Sequence, residues 1–225
     1  DEIRFGDNDR IAALVAHLVG ASTLVLLTDT PGLLTAAPRL GAGGYLIEEI
    51  VEIDQELEGL AGTSGTVRGS GGMSSKLAAA KIASWSGVRT VIADAKRDGV
   101  MLDACVGTSG VGTVVHPRES RLGARRLWIA FAVGSDGQIT VDIGARRALQ
   151  ERRVSLLPAG VLSVAGTYES GAAVEICDPS GTVFAKGIVR HDSALLRAHA
   201  GCRTGDLPDG MAHEAIHADD LVVLP

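Results

Sequence analysis

Two short strand-like stretches constrain this fold more than any other feature: the continuous apolar run Thr23-Leu24-Val25-Leu26-Leu27-Thr28 and Val88 to Ala93. Each is too short for a core helix, and each ends near a polar or turn-forming residue, as strands buried in a parallel sheet do. Around them the spacing becomes helical. Ile11, Leu14, Val15, Leu18 and Val19 predict a helix from about Asp9 to Val19 with Gly20 as its stop. The Ala-rich stretch from Ser74 to Ser86, ended by Gly87, predicts a second helix whose small side chains pack close to a sheet, and Val100 to Val106 a third. Gly112 to Val115 reads as another strand and Asp54 to Glu58 as a short polar helix; Leu34 to Gly44 reads as a loop. This alternation predicts an α/β architecture with a mostly parallel sheet and helices on its faces. Aromatic residues make up only 3% while glycines number 29, so the core is built from Ala, Val, Leu and Ile with many tight turns.

Beyond the turn-rich Gly134-Ser135-Asp136-Gly137 the texture changes. Short strands at Ile139 to Asp142, Val161 to Ala165, Val174 to Cys177, Val183 to Val189 and Leu221 to Leu224 alternate with Gly, Pro and Asp turns, with helices near Ala145 to Glu151 and Ser193 to His199. That pattern predicts a small β-barrel, and two domains: 1–134 and 137–225.

Charge excludes one class of function. The net charge is −6; residues 137–225 carry 8 basic and 11 acidic side chains, and residues 1–136 carry 13 and 16. Neither part is a basic module, so nucleic acid is not the expected partner. The longest apolar runs fall far short of the roughly 20 residues that a membrane span needs. Three widely spaced cysteines without a C-x-x-C pair suggest a reducing, cytoplasmic setting.

The chemistry-bearing stretch is Gly69-Ser70-Gly71-Gly72-Met73-Ser74-Ser75-Lys76, which leads into the Ala-rich helix. Glycines let backbone approach a ligand closely, a helix N-terminus presents N–H groups to an anion, and Lys76 adds positive charge. It is neither a P-loop nor G-x-G-x-x-G, which fails at Ser74. From spacing alone a phosphate cradle and a capped surface loop both stand. Asp7, Asn8 and Asp9 are ordinary N-cap types that also suit a substrate or a metal-bound phosphate. Asp29 follows a strand's carboxyl end, where nucleotides gather, but also suits an Asx turn. His213-Glu214-Ala215-Ile216-His217 spells H-E-x-x-H, yet Pro208, Gly210 and the strand-like Leu221 to Leu224 leave no room for the helix a zinc site requires, so no metal site is expected there. Arg146, Arg147, Arg152 and Arg153, if helical, could touch phosphate, but given the acidic neighbours Asp142 and Glu151 they read more readily as a solvated helix face.

Gly6-Asp7-Asn8-Asp9, Leu26-Leu27-Thr28-Asp29 with Gly32-Leu33 and Pro38-Arg39, and Gly71 to Lys76 occur in the order and spacing of the glutamate 5-kinase family of the amino-acid kinase fold, which the chain resembles. Val141 to Ala145, Ser155 to Gly160, Ala185-Lys186-Gly187 and His217 to Leu221 resemble the PUA domain that many such kinases carry. The resemblance implies the C-terminal portion of an amino-acid kinase sandwich followed by a PUA-like barrel. It also implies ATP-dependent phosphorylation of the L-glutamate side-chain carboxylate to glutamyl 5-phosphate, the first step toward proline. By the same analogy Asn8 contacts glutamate. Thr28, Asp29, Ser70, Gly71, Gly72, Met73, Ser74, Ser75 and Lys76 hold ATP. Lys76 stabilises the transferring phosphoryl, and Asp9 or Asp7 orients active-site groups. Mg²⁺ arrives with the nucleotide, held largely by phosphates and water.

Two departures are local: Ser75 stands where the family commonly has Thr, and Ala37 where an acidic residue is usual. A larger one is that the family's sequence starts earlier, with another Gly-rich segment, another lysine and more of the glutamate site. The expectation is therefore a chain lacking the first part of the kinase domain and inactive by itself. The family further implies a homo-oligomer and coupling to glutamyl phosphate reductase. Aspartate or uridylate kinase, and an RNA-binding PUA protein with a degenerate kinase part, stand as alternatives.

Overall fold

A computed structural model describes residues 8–35, 44–62, 72–119 and 121–224. The chain forms two compact units, Asp1–Ala124 and Arg125–Pro225.

In the first unit, α1 (Asn8–Leu18) leads to β1 (Thr23–Thr28); β2 (Glu49–Ile50), α2 (Gln55–Gly62), α3 (Met73–Trp85), β3 (Arg89–Asp94), α4 (Val100–Val106) and β4 (Thr113–Val115) follow. The sheet runs β1-β3-β4-β2. β1 pairs parallel with β3, from Thr23 opposite Arg89 to Thr28 opposite Asp94, and β2 parallel with β4. β3 and β4 are antiparallel, a strand direction that apolar periodicity does not encode. The return is tight because Gly112 lies against β3: a Cβ there would collide with the Ile92 carbonyl oxygen.

The central strand β3 is buried from Thr90 to Ala93, as its apolar run predicts, and Val91 and Ala93 pack with Val100 and Ala104 of α4. β1 departs from expectation. Among the described strands it lies at one end of the sheet, only Leu26 is buried, and Leu27 is 40% exposed. On the other side of the sheet's core, Leu33, Ile50, Ile53 and Val115 meet Leu77 and Ala80 of α3.

Helix α1 also differs from its sequence reading. The large side chains that announce it lie outward, with Ile11, Val15 and Leu18 at 44%, 47% and 74% exposure, and what it buries is Ala13 and Ala16. α1 lies against α3, itself faced with Ala79, Ala80 and Ala83. Small residues let the two helices approach closely, so their N-termini lie side by side. Gly87, at φ 77°, ends α3 in the left-handed turn that glycine adopts without strain.

The second unit opens with α5 (Ala124–Leu127) and a π-helical turn, Trp128–Ala132, which bury Leu127 and Ile129. The short strands foreseen here are β5 (Gly137–Val141), β6 (Val161–Gly166), β7 (Ala173–Cys177), β8 (Val183–Ile188) and β9 (Leu221–Val223), with α6 (Ile143–Glu151) and α7 (Ser193–Ala198) between them. They form one sheet in the order β6-β5-β7-β8-β9, with β5 antiparallel to β6 and parallel to β7. Its core gathers Ile139, Val141, Leu149, Leu156, Ile176, Leu196 and Ile216. Asp142 and Asp192 cap α6 and α7 by accepting the N–H groups of Ala145 and Leu195.

Candidate active site

The packing of α1 on α3 brings Asp9, the second residue of α1, against the first turn of α3. Lys76 Nζ donates to both carboxylate oxygens of Asp9 at 3.2 Å, and Ser75 Oγ donates to Oδ2 at 2.7 Å. The side chains of Lys76 and Asp9 are only 12% and 17% exposed. Such an ion pair stands between surface pairs, worth at most about 1 kcal/mol, and fully buried ones, where losing one partner costs about 3–5 kcal/mol. Two consecutive side chains of α3 thus converge on a carboxylate more than sixty residues away in sequence.

The turn they flank is built to receive an anion. Gly72 is the N-cap of α3, extended at φ −80° and ψ −175°, and no side chain caps the helix. The N–H groups of Ser75 and Lys76 bend back to the Gly72 carbonyl, whereas those of Met73 and Ser74 have no hydrogen-bond acceptor among the described residues. Exposed N–H groups at the positive end of a 13-residue helix, with an ammonium alongside, suit phosphate oxygens. Met73 turns its side chain toward the cluster of Leu33, Ile53 and Leu77, so the group it offers to a ligand is its N–H; Ser74 is exposed.

Asn8 lies exposed at the first position of α1. Thr28 and Asp29 lie at the carboxyl end of β1, where Thr28 Oγ1 donates to Asp29 Oδ1 at 3.4 Å, and among the described residues neither bonds to Asp9, Ser75 or Lys76. The turn that follows is pinned by a residue the sequence does not single out: Thr113 Oγ1 accepts the Leu33 N–H at 2.8 Å from a fully buried position, and a Cβ on Gly32 would strike that hydroxyl. Nothing in the local pattern distinguishes Thr113 from any β-branched strand residue. Asp7, Ser70 and Gly71, with Ala37, Pro38 and Arg39, lie outside the described residues.

The remaining motifs have structural duties. His213 to His217 is not helical; its backbone pairs with Leu156, and His217 Nδ1 accepts the Asp219 N–H at the turn before β9. Among the described residues no three His, Cys, Asp or Glu gather for a metal ion, and no helix is long and apolar enough to cross a membrane. Arg146 is more than a solvated residue. It pairs with the buried Asp178 and sits over the Phe184 ring, 5.6 Å from its centroid, while Arg147 pairs with Glu151. The Ser180 hydroxyl, the Thr182 and Ser180 N–H groups and the Arg146 guanidinium, in that order, hold the Asp178 carboxyl below its ordinary range, against the effect of its burial. Burial pushes the Tyr168 phenol up to about 12.

The model of the amino acid kinase family matches residues 1–94, and that of the PUA domain residues 137–207. The chain is 43% identical over 224 residues to glutamate 5-kinase of Mycolicibacterium vanbaalenii and 41% identical over 228 residues to that of Moorella thermoacetica. Each alignment takes in all of this chain and 60% of the relative, so the chain spans 60% of the length of the relatives it matches. Aspartate kinase from Synechocystis resembles it loosely, at 18% identity and a TM-score of 0.38 over 98% of this chain and 34% of that one.

Proposed function

We propose, from the similarity to glutamate 5-kinases that runs the length of this chain and from its matches to the amino acid kinase and PUA models, that the protein transfers the γ-phosphoryl group of ATP to the side-chain carboxylate of L-glutamate. The observation that supports it is the convergence of Lys76, Ser75 and Asp9 at the uncapped start of α3.

Phosphoryl transfer asks the protein chiefly for positioning and charge neutralisation. In this reading the N–H groups of Met73 and Ser74 hold phosphate oxygens, with Ser70, Gly71 and Gly72 around them. The Lys76 ammonium has three protons. Asp9 engages it through two oxygens, leaving a donor for charge that builds on the transferred group. Asp9 accordingly orients Lys76, with Asp7 beside it in sequence. Asn8, one residue before Asp9 and exposed, contacts glutamate, and Thr28 and Asp29 contact the nucleotide from the end of β1. Mg²⁺ fits as a companion of the nucleotide, screening phosphate charge while these residues bind and orient. An acyl phosphate is labile, so transfer of the product to a glutamyl phosphate reductase belongs to the same proposal, as do a homo-oligomer and a cytoplasmic setting by resemblance to the family.

The test is chemical. Incubation of the complete protein, with the kinase residues that the relatives carry ahead of this segment, with MgATP, L-glutamate and hydroxylamine is expected to yield γ-glutamyl hydroxamate and ADP in equal amounts. ADP without hydroxamate, or neither product from the folded complete protein, would overturn the reading.

A further inference from the structure

We infer that the Ser75 hydroxyl acts as a positioning group for the Asp9 carboxylate and not as a ligand of the nucleotide. The inference rests on the phosphoryl-transfer reading above and adds a residue role to it.

Ser75 Oγ has one proton and two acceptors within reach, Asp9 Oδ2 at 2.7 Å and the Gly72 carbonyl at 2.8 Å. The carbonyl already accepts backbone N–H groups, from Ser75 at 3.1 Å and Lys76 at 3.3 Å. It loses little if the hydroxyl turns away. Asp9 has no such reserve: its oxygens are met by Lys76 Nζ and by Ser75 alone among the described residues. The proton is therefore worth most on Asp9, where a charge-assisted hydrogen bond is about twice as strong as a neutral one.

Its purpose follows from the charges. A phosphoryl group approaching Lys76 competes with Asp9 for the ammonium and repels the carboxylate. With the ammonium drawn toward phosphate, the Ser75 bond is what keeps the carboxylate from rotating out of line. Ser75 and Lys76 are consecutive on α3, so one helical turn carries both the cation and the clamp on its counter-ion. A threonine keeps the hydroxyl and serves equally; alanine removes the clamp while leaving backbone and charge untouched.

The experiment is a double-mutant cycle of Ser75→Ala and Asp9→Asn in the native protein, with Ser75→Thr as the conservative variant. Ser75→Ala is expected to lower kcat at least about tenfold while KM for ATP stays within about twofold, and Ser75→Thr to restore kcat. In the Asp9→Asn background, Ser75→Ala is expected to cost nothing further, since the group it positions is gone. Unchanged kcat, additive losses, or a raised KM for ATP at constant kcat would overturn the inference. Affinity for a non-hydrolysable ATP analogue gives a reading that needs no turnover. Affinity kept within about twofold in Ser75→Ala supports the positioning role, and a loss of about tenfold or more makes Ser75 a nucleotide ligand and overturns it. Absence of glutamate phosphorylation in the unmutated protein would instead count against the proposed reaction, and the analogue measurement would still decide Ser75.

Discussion

Lys76 of α3 and Asp9 of α1 meet end-on, the ammonium 3.2 Å from each carboxylate oxygen, at the point where the two helix starts lie side by side. The pair ties the site's charge to the packing of α1 on α3, so a change at one residue reports on the other.

Lys76→Ala is expected to reduce kcat by at least about tenfold with the fold retained. The check is steady-state hydroxamate formation beside a far-UV circular dichroism spectrum. Asp9→Asn should reduce kcat in the same direction, because it frees the ammonium from its orientation. Unchanged turnover in Lys76→Ala would remove that residue from the site.

Tyr168→Phe is expected to leave stability unchanged or raise it. The phenol oxygen is buried without a hydrogen-bond partner among the described residues, and deleting an unsatisfied hydroxyl relieves a desolvation cost of about 1–3 kcal/mol. Titration adds a sign. With the folded pKa raised to about 12 from 10.0, the neutral phenol's contribution to stability is fully present below pH 10 and is lost as pH rises toward 12. Chemical denaturation between those limits should show a loss in the unmutated protein that Tyr168→Phe lacks.

Asp178 carries the opposite sign. Its folded pKa is depressed below 3.8, so the stability it confers is present above that value and falls away as pH drops through the folded pKa. Asp178→Ala removes the acceptor for the Ser180 and Thr182 N–H groups and leaves Arg146 without its counter-ion. A loss of stability is expected at neutral pH, shrinking under acid, in denaturant titrations of the second unit.

Gly112→Ala is expected to destabilise the first unit by more than the few tenths of a kcal/mol usual for surface changes, about 1–3 kcal/mol, because the new methyl collides with the Ile92 carbonyl of β3. Gly110→Ala, two residues away in open space but at φ 68°, isolates the backbone cost from the clash. Thermal unfolding of the two variants separates them.

Most secondary structure here is legible because the apolar runs are short and sharply bounded. β1, β3 and α4 emerge from the sequence almost residue for residue, as do the strands of the second unit. Three things are not. Strand direction is invisible to a period-two pattern, so the antiparallel pairing of β4 with β3 is seen only in the fold. Edge position is equally hidden, which is why the apolar β1 shows Leu27 to solvent. In α1 the large residues mark a helix, but the contact is made by Ala13 and Ala16, since close approach favours small side chains. At the site, glycine spacing suggests an anion and the resemblance singles out Lys76 and Asp9. That Ser75 also reaches Asp9, and that Met73 faces the core, are tertiary facts separated from any local signal by the length of the intervening chain.

The N-cap of α3 is a glycine, and that choice reaches beyond the geometry of one turn. A serine or aspartate there would satisfy the first N–H groups permanently and occupy the spot where phosphate oxygens fit. By placing glycine there, the chain forgoes roughly a few tenths of a kcal/mol of helix stability in the empty protein. The bound anion then completes the helix, and occupancy becomes a form of folding. Saturating phosphate ligand at a hundred times its Kd should raise the unfolding free energy by about 2.7 kcal/mol, with the gain in amide protection concentrated at the start of α3.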